Sequence, residues 1–144
     1  MELDKTMNAD FHDAHLRHWE DAEHLFAKGR WANADHLYGL AAECGLKRLM
    51  LAFGMPLDSG KNKPADKKDQ VHADKVWVRY ESYRSGHCNG AGFALTASNP
   101  FDNWDINQRY FHQKLFDRNI ATRHKSGAEE VRKLLRQAVV KGVI

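Results

Sequence analysis

The stretch "WANADHLYGLAAECGLKRLMLAF", residues 31–53, decides the fold expected of this chain. Apolar or small side chains recur in it at steps of three and four residues, from Ala34 to Ala52, which indicates a helix with one buried face. The following "GMP", residues 54–56, ends that helix. Small residues in its middle leave little side chain to bury, and they predict close approach by another helix. These residues are Gly39, Ala41, Ala42 and Gly45.

The segments on either side of this helix extend the helical pattern. Residues 10–28 show the same spacing of apolar side chains and end at Gly29. The short "GR" joint that follows predicts an antiparallel helix pair. Residues 71–84 are compatible with a third helix, although their β-branched and aromatic content also permits a strand.

The last helix is expected to run to about Lys141, but its start is ambiguous. The segment "SGAE", residues 126–129, fits a capping box and predicts a start at Ser126. Extending the apolar period backwards instead places the start near residue 121, with His124 on the inward face. Gly127 favours the later start because glycine is a poor helix former.

Two long loops complete the pattern, at about residues 54–70 and 85–104, where Gly and Pro recur without helical or strand periodicity. No strong strand alternation or hairpin dipeptide is present in the sequence. We therefore expect residues 1–144 to form a single all-α domain, an antiparallel four- to five-helix up-down bundle.

The charge of the chain is divided unequally. Residues 1–60 hold 6 Lys/Arg against 10 Asp/Glu, a net of −4, whereas residues 61–144 hold 16 against 9, a net of +7. The basic half suits an anion such as nucleic acid, or the two halves attract each other within the fold or across a dimer. The apolar runs are too short to cross a membrane, and the polar N-terminus carries no export signal, so we expect a cytoplasmic protein.

The nine histidines do not form a strong metal motif. His12, His15 and His18 recur every three residues, but a single ion would need ligands from other helices as well, and a solvent-facing or partly packed row is the simpler interpretation. Cys44 and Cys88 belong to no CxxC pair. Phosphate-loop, HExxH and nucleophile-elbow motifs are absent from the sequence, so no metal and no cofactor is predicted.

The segment "DRNIATRHKSG", residues 117–127, contains residues that suit RNA cleavage. Cleavage through the 2′-hydroxyl needs a group that moves a proton and a cation that stabilises the phosphate charge. His124 and Arg118 are of these types, and Asn119 could add a hydrogen bond. The spacing alone is weak evidence, because two ordinary polar residues near a helix start give the same pattern.

The upstream helices add a resemblance. Residues 18–50 resemble the first two helices of the HEPN superfamily (higher eukaryotes and prokaryotes nucleotide-binding domains), whose pattern is "A-x-HL-x-G-x-A-x-E-x-x-LK". Residues 72–77 and the Trp104, Arg109 and Tyr110 pattern are similar to later segments in some of these families. The matching residues of the main motif are Ala34, His36, Leu37, Gly39, Ala41, Glu43, Leu46 and Lys47.

This resemblance implies a function. Many HEPN proteins are metal-independent ribonucleases that act as homodimers, often as toxins with an antitoxin partner or as defence effectors. They carry an Arg, four to six residues and a His near the start of the final helix. Arg118, Asn119 and His124 match that motif, which implies phosphate stabilisation by Arg118 and acid or base catalysis by His124 in a basic cleft at the dimer interface.

Further residues are implied in substrate binding. Arg109, Arg123 and Lys125 would guide the RNA backbone. Glu43 and Lys47 would contribute polar groups to the cleft, or they form an ordinary ion pair one helical turn apart. Other HEPN relatives lack catalysis, so a module that binds a nucleotide, nucleic acid or protein is the alternative function.

Overall fold

The computed structural model describes residues 8–58, 60, 62–96 and 98–144, which fold mainly into α-helices. The prediction of a predominantly helical chain is confirmed, and the bounds of the first three helices lie within one or two residues of the expected ones. None of the helices in this described part combines the length and apolar character that crossing a bilayer requires. The helices are α1 (Phe11–Ala27), α2 (Trp31–Ala52), α3 (Ala73–Ser85) and α4 (Arg118–Val140).

The segments between the helices hold short elements that the sequence pattern did not predict. A two-stranded antiparallel sheet pairs β1 (Leu57–Asp58) with β2 (Lys63–Pro64), with Leu57 opposite Pro64. Single 3-10 turns follow at Lys67–Asp69, Ile106–Tyr110 and Gln113–Leu115. The last two turns position polar and aromatic side chains beside α2, as described below.

Helix α2 lies at the centre of the fold and contacts α1, α3 and α4. Its small residues allow the neighbouring elements to approach closely. A Cβ at Gly45 would lie 2.5 Å from Cγ1 of Val131, so the predicted close approach of another helix is confirmed there, by α4. At Gly39 the neighbour is different, because the Trp104 ring occupies the space that a Cβ would need. Gly39 thus accommodates a side chain from the loop before α4.

Helix α4 begins at Arg118, eight residues before the predicted start at Ser126. The prediction of a capping box at Ser126 is wrong. The N-cap is Asp117, whose carboxylate accepts the backbone N–H of Ile120 at 2.9 Å. Ser126 instead lies on the exposed surface of the continuous helix.

Close packing explains why a glycine sits inside α4. Gly127 is buried, and a Cβ there would lie 2.5 Å from Cγ of Pro100. The glycine therefore allows the loop before α4 to approach the helix and does not mark a helix end. With the helix continuous, His124 faces inward, as the earlier predicted start required.

Candidate functional site

The fold buries a histidine–aspartate pair between α2 and α4. Asp35 is fully buried on α2, and His124 on α4 is 1% exposed. Nδ1 of His124 is hydrogen-bonded to Oδ1 of Asp35. The second carboxylate oxygen of Asp35 accepts a hydrogen bond from Nε2 of Gln108 at 2.6 Å. Such partners offset the cost of removing a carboxylate from water.

The outer nitrogen of His124 is held as well. Its Nε2 lies 2.8 Å from Oδ1 of Asn103, an exposed residue, and the ring stacks on Phe101 with centroids 5.2 Å apart. Both ring nitrogens therefore face oxygen atoms, which hold the ring from both sides. The imidazole is fixed in orientation, with Asn103 on its outer side.

A small pocket opens over this pair. It has a volume of about 180 Å³, and we call it the histidine pocket. Its remaining wall is mainly apolar, and no Lys or Arg lines it. Within a single chain, the imidazole of His124 is therefore oriented at this pocket, but no Lys or Arg side chain lines the pocket beside it. Its defining residues are Asp35, Asn103, Gln108, Phe111 and His124.

A second pocket adjoins the first and is cationic. It has a volume of about 190 Å³ and shares Gln108 and Phe111 with the histidine pocket. Arg30 comes from the joint between α1 and α2, and Arg109 comes from the 3-10 turn before α4. Two arginines and two aromatic residues thus line one hollow, which we call the arginine pocket. Its defining residues are Arg30, Trp31, His36, Arg109 and Phe111.

His36 forms an inner wall of the arginine pocket. Burial, followed by the charge of Arg109, lowers the pKa of His36. The ring stacks on Trp104, with centroids 5.5 Å apart and planes 13° apart. We therefore expect His36 to be neutral near pH 7 and to leave the positive charge of the pocket to the arginines.

The structure separates the two residues predicted to be catalytic within one chain. Six residues along a helix turn the side-chain direction by about 120° net, so Arg118 and His124 lie on different faces of α4. The guanidinium carbon of Arg118 is 5.9 Å from the centre of the Phe26 ring on α1. Lys125 shares that face, with Nζ 4.4 Å from the same ring and 3.4 Å from Oε1 of Glu23.

The other predicted residues on and before α4 lie at the surface. Asn119 is exposed in the first turn. Nη2 of Arg123 forms an exposed ion pair with Oδ1 of Asp102 at 3.0 Å. Arg109 lines the arginine pocket and stacks its guanidinium 4.7 Å from the centre of the Tyr110 ring. Of the predicted binding residues on this side, Arg109 is the one that joins the pocket.

Glu43 and Lys47 form the predicted ion pair, with Nζ and Oε2 3.0 Å apart. The other oxygen of Glu43 lies 2.9 Å from Nδ1 of His72. Burial would raise the pKa of Glu43, but the hydrogen bond with His72 and the charge of Lys47 outweigh burial and lower it. Neither Glu43 nor Lys47 lines the histidine pocket or the arginine pocket.

Among the histidines near the N-terminus, His15 has a packing role. His15 is fully buried, and its Nδ1–H donates to the backbone oxygen of Ala41 at 2.8 Å. Burial lowers the pKa of His15 to about 4, so the ring is neutral at pH 7. Across the described ranges, no three His, Cys, Asp or Glu side chains are grouped so that they could hold a metal ion.

Sequence reasoning missed Asp35, Gln108, Asn103 and Arg30. The sequence signal for Asp35 is a carboxylate between small or apolar positions near the start of α2, but nothing local identifies its partners. Comparison of the chain with protein-family models, curated proteins and solved structures gave no match. The HEPN resemblance therefore stays a prediction.

Proposed function

We propose that this chain is a HEPN-type module that binds RNA or a nucleotide in the arginine pocket. The observation that carries this proposal is the meeting of Arg30 and Arg109 with Trp31 and Phe111 in one hollow. Guanidinium groups bind phosphates through paired hydrogen bonds, and aromatic faces stack on bases. A nucleotide presents these two groups together, so it fits the pocket better than a purely apolar ligand would.

The start of α2 adds a third binding element. Arg30 is the N-cap residue, and its side chain makes no capping hydrogen bond with the first turn. Trp31, Ala32 and Asn33 from that turn line the pocket. The N–H groups of the first turn and the helix dipole favour an anion at this end, in the same hollow as the two arginines.

The test is binding of a fluorescein-labelled single-stranded RNA, measured by anisotropy at several salt concentrations. We expect Arg30→Gln and Arg109→Gln each to weaken binding and to reduce the salt slope by about 1, because each removes one phosphate contact. Arg17→Gln makes the same charge change at an exposed position outside the pocket and should bind like the wild type. Equal affinities for all four proteins would contradict the proposal.

Stacking can be tested separately from charge. Phe111 is half exposed, so Phe111→Leu should leave the fold intact. Loss of a stacked base costs about 1–3 kcal/mol of binding free energy and does not alter the salt slope. An unchanged affinity would limit the site to phosphate contacts.

A metal-independent ribonuclease is the second candidate, favoured by the orientation of His124. A general acid or base needs a fixed ring, and Asp35 fixes this one at the wall of an open pocket. The outer nitrogen becomes accessible to a 2′-hydroxyl when Asn103 turns away. Since no cation lines the histidine pocket within one chain, the proposed mechanism takes Arg118 from a second subunit of a homodimer.

Cleavage is tested by incubating the full chain with labelled RNA in the presence of EDTA. Arg118→Gln changes an exposed side chain and should abolish cleavage without altering stability, whereas Arg17→Gln, the same change at an exposed position outside both pockets, is its matched control. His124→Asn should also be inactive, with far-ultraviolet circular dichroism confirming that it folds. Equal cleavage by wild type and His124→Asn would exclude the mechanism and leave the binding proposal untouched.

A further inference from the structure

A separate groove lies between α1 and α4. Its volume is about 400 Å³, and it shares no lining residue with the arginine pocket or the histidine pocket. Three of its apolar side chains are exposed large residues, which a chain of this size would normally cover or use. We call it the α1–α4 groove, and its apolar wall consists of Leu16, Leu135, Val139 and Val140.

The polar rim of the α1–α4 groove carries one sign of charge. His12, Arg132 and Arg136 line it, and no Asp or Glu does. A second copy of this face would bring Arg132 and Arg136 against a surface of like charge, which disfavours a symmetric dimer here. The groove suits a ligand with an apolar body and an acidic head.

Two buried polar atoms among the groove residues have no partner in the structure. Nδ1–H of His15 is used by the backbone oxygen of Ala41, so Nε2 of the neutral ring presents a free lone pair. Nε–H of Arg132 is a donor without an acceptor. Buried atoms of this kind are normally satisfied by a bound molecule or by water. A molecule that satisfies both atoms must donate a hydrogen bond to Nε2 of His15 and accept one from Nε–H of Arg132.

We infer that the α1–α4 groove binds an apolar carboxylic acid of the medium-chain fatty-acid class. When the partly exposed Arg132 side chain moves aside, the carboxyl O–H donates to Nε2 of His15, and the carbonyl oxygen accepts from Nε–H of Arg132. The alkyl chain lies along Leu16, Val139 and Val140. Because the free acid is ionised at neutral pH, binding takes up a proton, which is shared between the carboxyl group and His15.

The surroundings of His15 agree with proton uptake on binding. In the free protein, burial lowers the pKa of His15, the hydrogen bond with Ala41 partly opposes this, and His12 and His18 on α1 and Arg132 on α4 lower it further. From α2 it faces the backbone oxygen of Ala41. A carboxylate entering the groove adds the negative charge that these groups lack, and it favours a proton at this position.

The experiment is calorimetric titration of the full chain with decanoate and, separately, with decanol. We expect saturable decanoate binding by the wild type, weakened about tenfold or more by Arg132→Gln because a charge-assisted hydrogen bond is lost. Val139→Trp fills the groove from an exposed position and should abolish binding. Lys133→Gln, an exposed change on α4 outside the groove, should bind like the wild type.

Proton uptake provides the second measurement. Titrations at pH 7 in buffers of different ionisation enthalpy should show a proton taken up by the wild type and none by His15→Asn, which keeps a donor near Ala41. Absence of saturable binding, or equal decanoate binding by Val139→Trp, would overturn the inference. Decanol binding as tightly as decanoate, with no change in Arg132→Gln, would also overturn it, by reducing the groove to an apolar patch.

Discussion

Asp35 is the residue on which the candidate site depends. Its carboxylate bonds His124 and Gln108, and its backbone oxygen accepts Nε1–H of Trp104 at 3.2 Å. All three partners lie in the loop before α4 or on α4 itself. Asp35 on α2 therefore holds both that loop and α4 in place. No motif reveals this from sequence, because the side-chain partners of Asp35 are 73 and 89 residues away.

We predict that Asp35→Ala lowers the free energy of unfolding by about 3–5 kcal/mol, because it leaves buried polar partners without their acceptor. Urea denaturation followed by tryptophan fluorescence measures this effect. Asp102→Ala breaks the exposed ion pair with Arg123 and should cost less than about 1 kcal/mol. Similar losses in the two variants would show that the Asp35 network contributes no more than a surface pair.

The buried neutral state of His15 predicts a pH-dependent stability. Its pKa is about 4 in the folded chain against an ordinary 6.5, so between these values the unfolded chain binds a proton that the folded chain does not. Stability is therefore lost as pH falls from about 6.5 to about 4, by up to about 3 kcal/mol from this residue.

His15→Asn tests this contribution because asparagine does not titrate. Between pH 7 and pH 4.5, the urea midpoint should decrease less in the variant than in the wild type. His24→Asn is the matched control, since His24 is exposed on the same helix. A wild-type loss that His15→Asn does not reduce would contradict the assignment.

At the scale of elements, the start of α4 shows where sequence patterns compete. Both "DRNI" from Asp117 and "SGAE" from Ser126 carry capping residues, and local rules do not rank them. The structure selects Asp117 because continuing the helix buries His124, Ala121 and the residues around them. The sequence rule takes Gly127 as favouring the later start, whereas the structure explains this glycine by close contact with Pro100 inside the helix.

Substitution by alanine is expected to have different effects at Asp117 and at Ser126, the two candidate N-cap positions. Asp117→Ala removes the acceptor of the Ile120 N–H and should destabilise the chain by about 1 kcal/mol. Ser126→Ala replaces an exposed mid-helix serine with a better helix former and should be neutral or slightly stabilising. Thermal unfolding by circular dichroism measures both, and a larger loss for Ser126→Ala would return the helix start to that residue.

At the scale of the whole molecule, hydrophobic periodicity predicts the helices but not the pockets that form where their connections meet. The helical pattern of α1 and α2 is strong enough to fix their bounds within a residue or two. The arginine pocket, by contrast, joins Arg30 to Arg109, which come from two connections far apart in sequence. Only the path of the loop that docks Trp104 against Gly39 brings them together, and loops carry no periodic signal.

The ribonuclease candidate makes its sharpest prediction at this scale, through mixed dimers. If each site takes Arg118 from one subunit and His124 from the other, an Arg118→Gln chain paired with a His124→Asn chain rebuilds one intact site. Random mixing of the two inactive proteins should then restore about a quarter of the wild-type cleavage, because half of the dimers are mixed and each has one of two sites intact. Mixing Arg118→Gln with an Arg118→Gln, His124→Asn double variant should restore none. No recovery in the first mixture, with mixed dimers confirmed by native mass spectrometry, would exclude a shared site and leave RNA binding as the function that the arginine pocket supports.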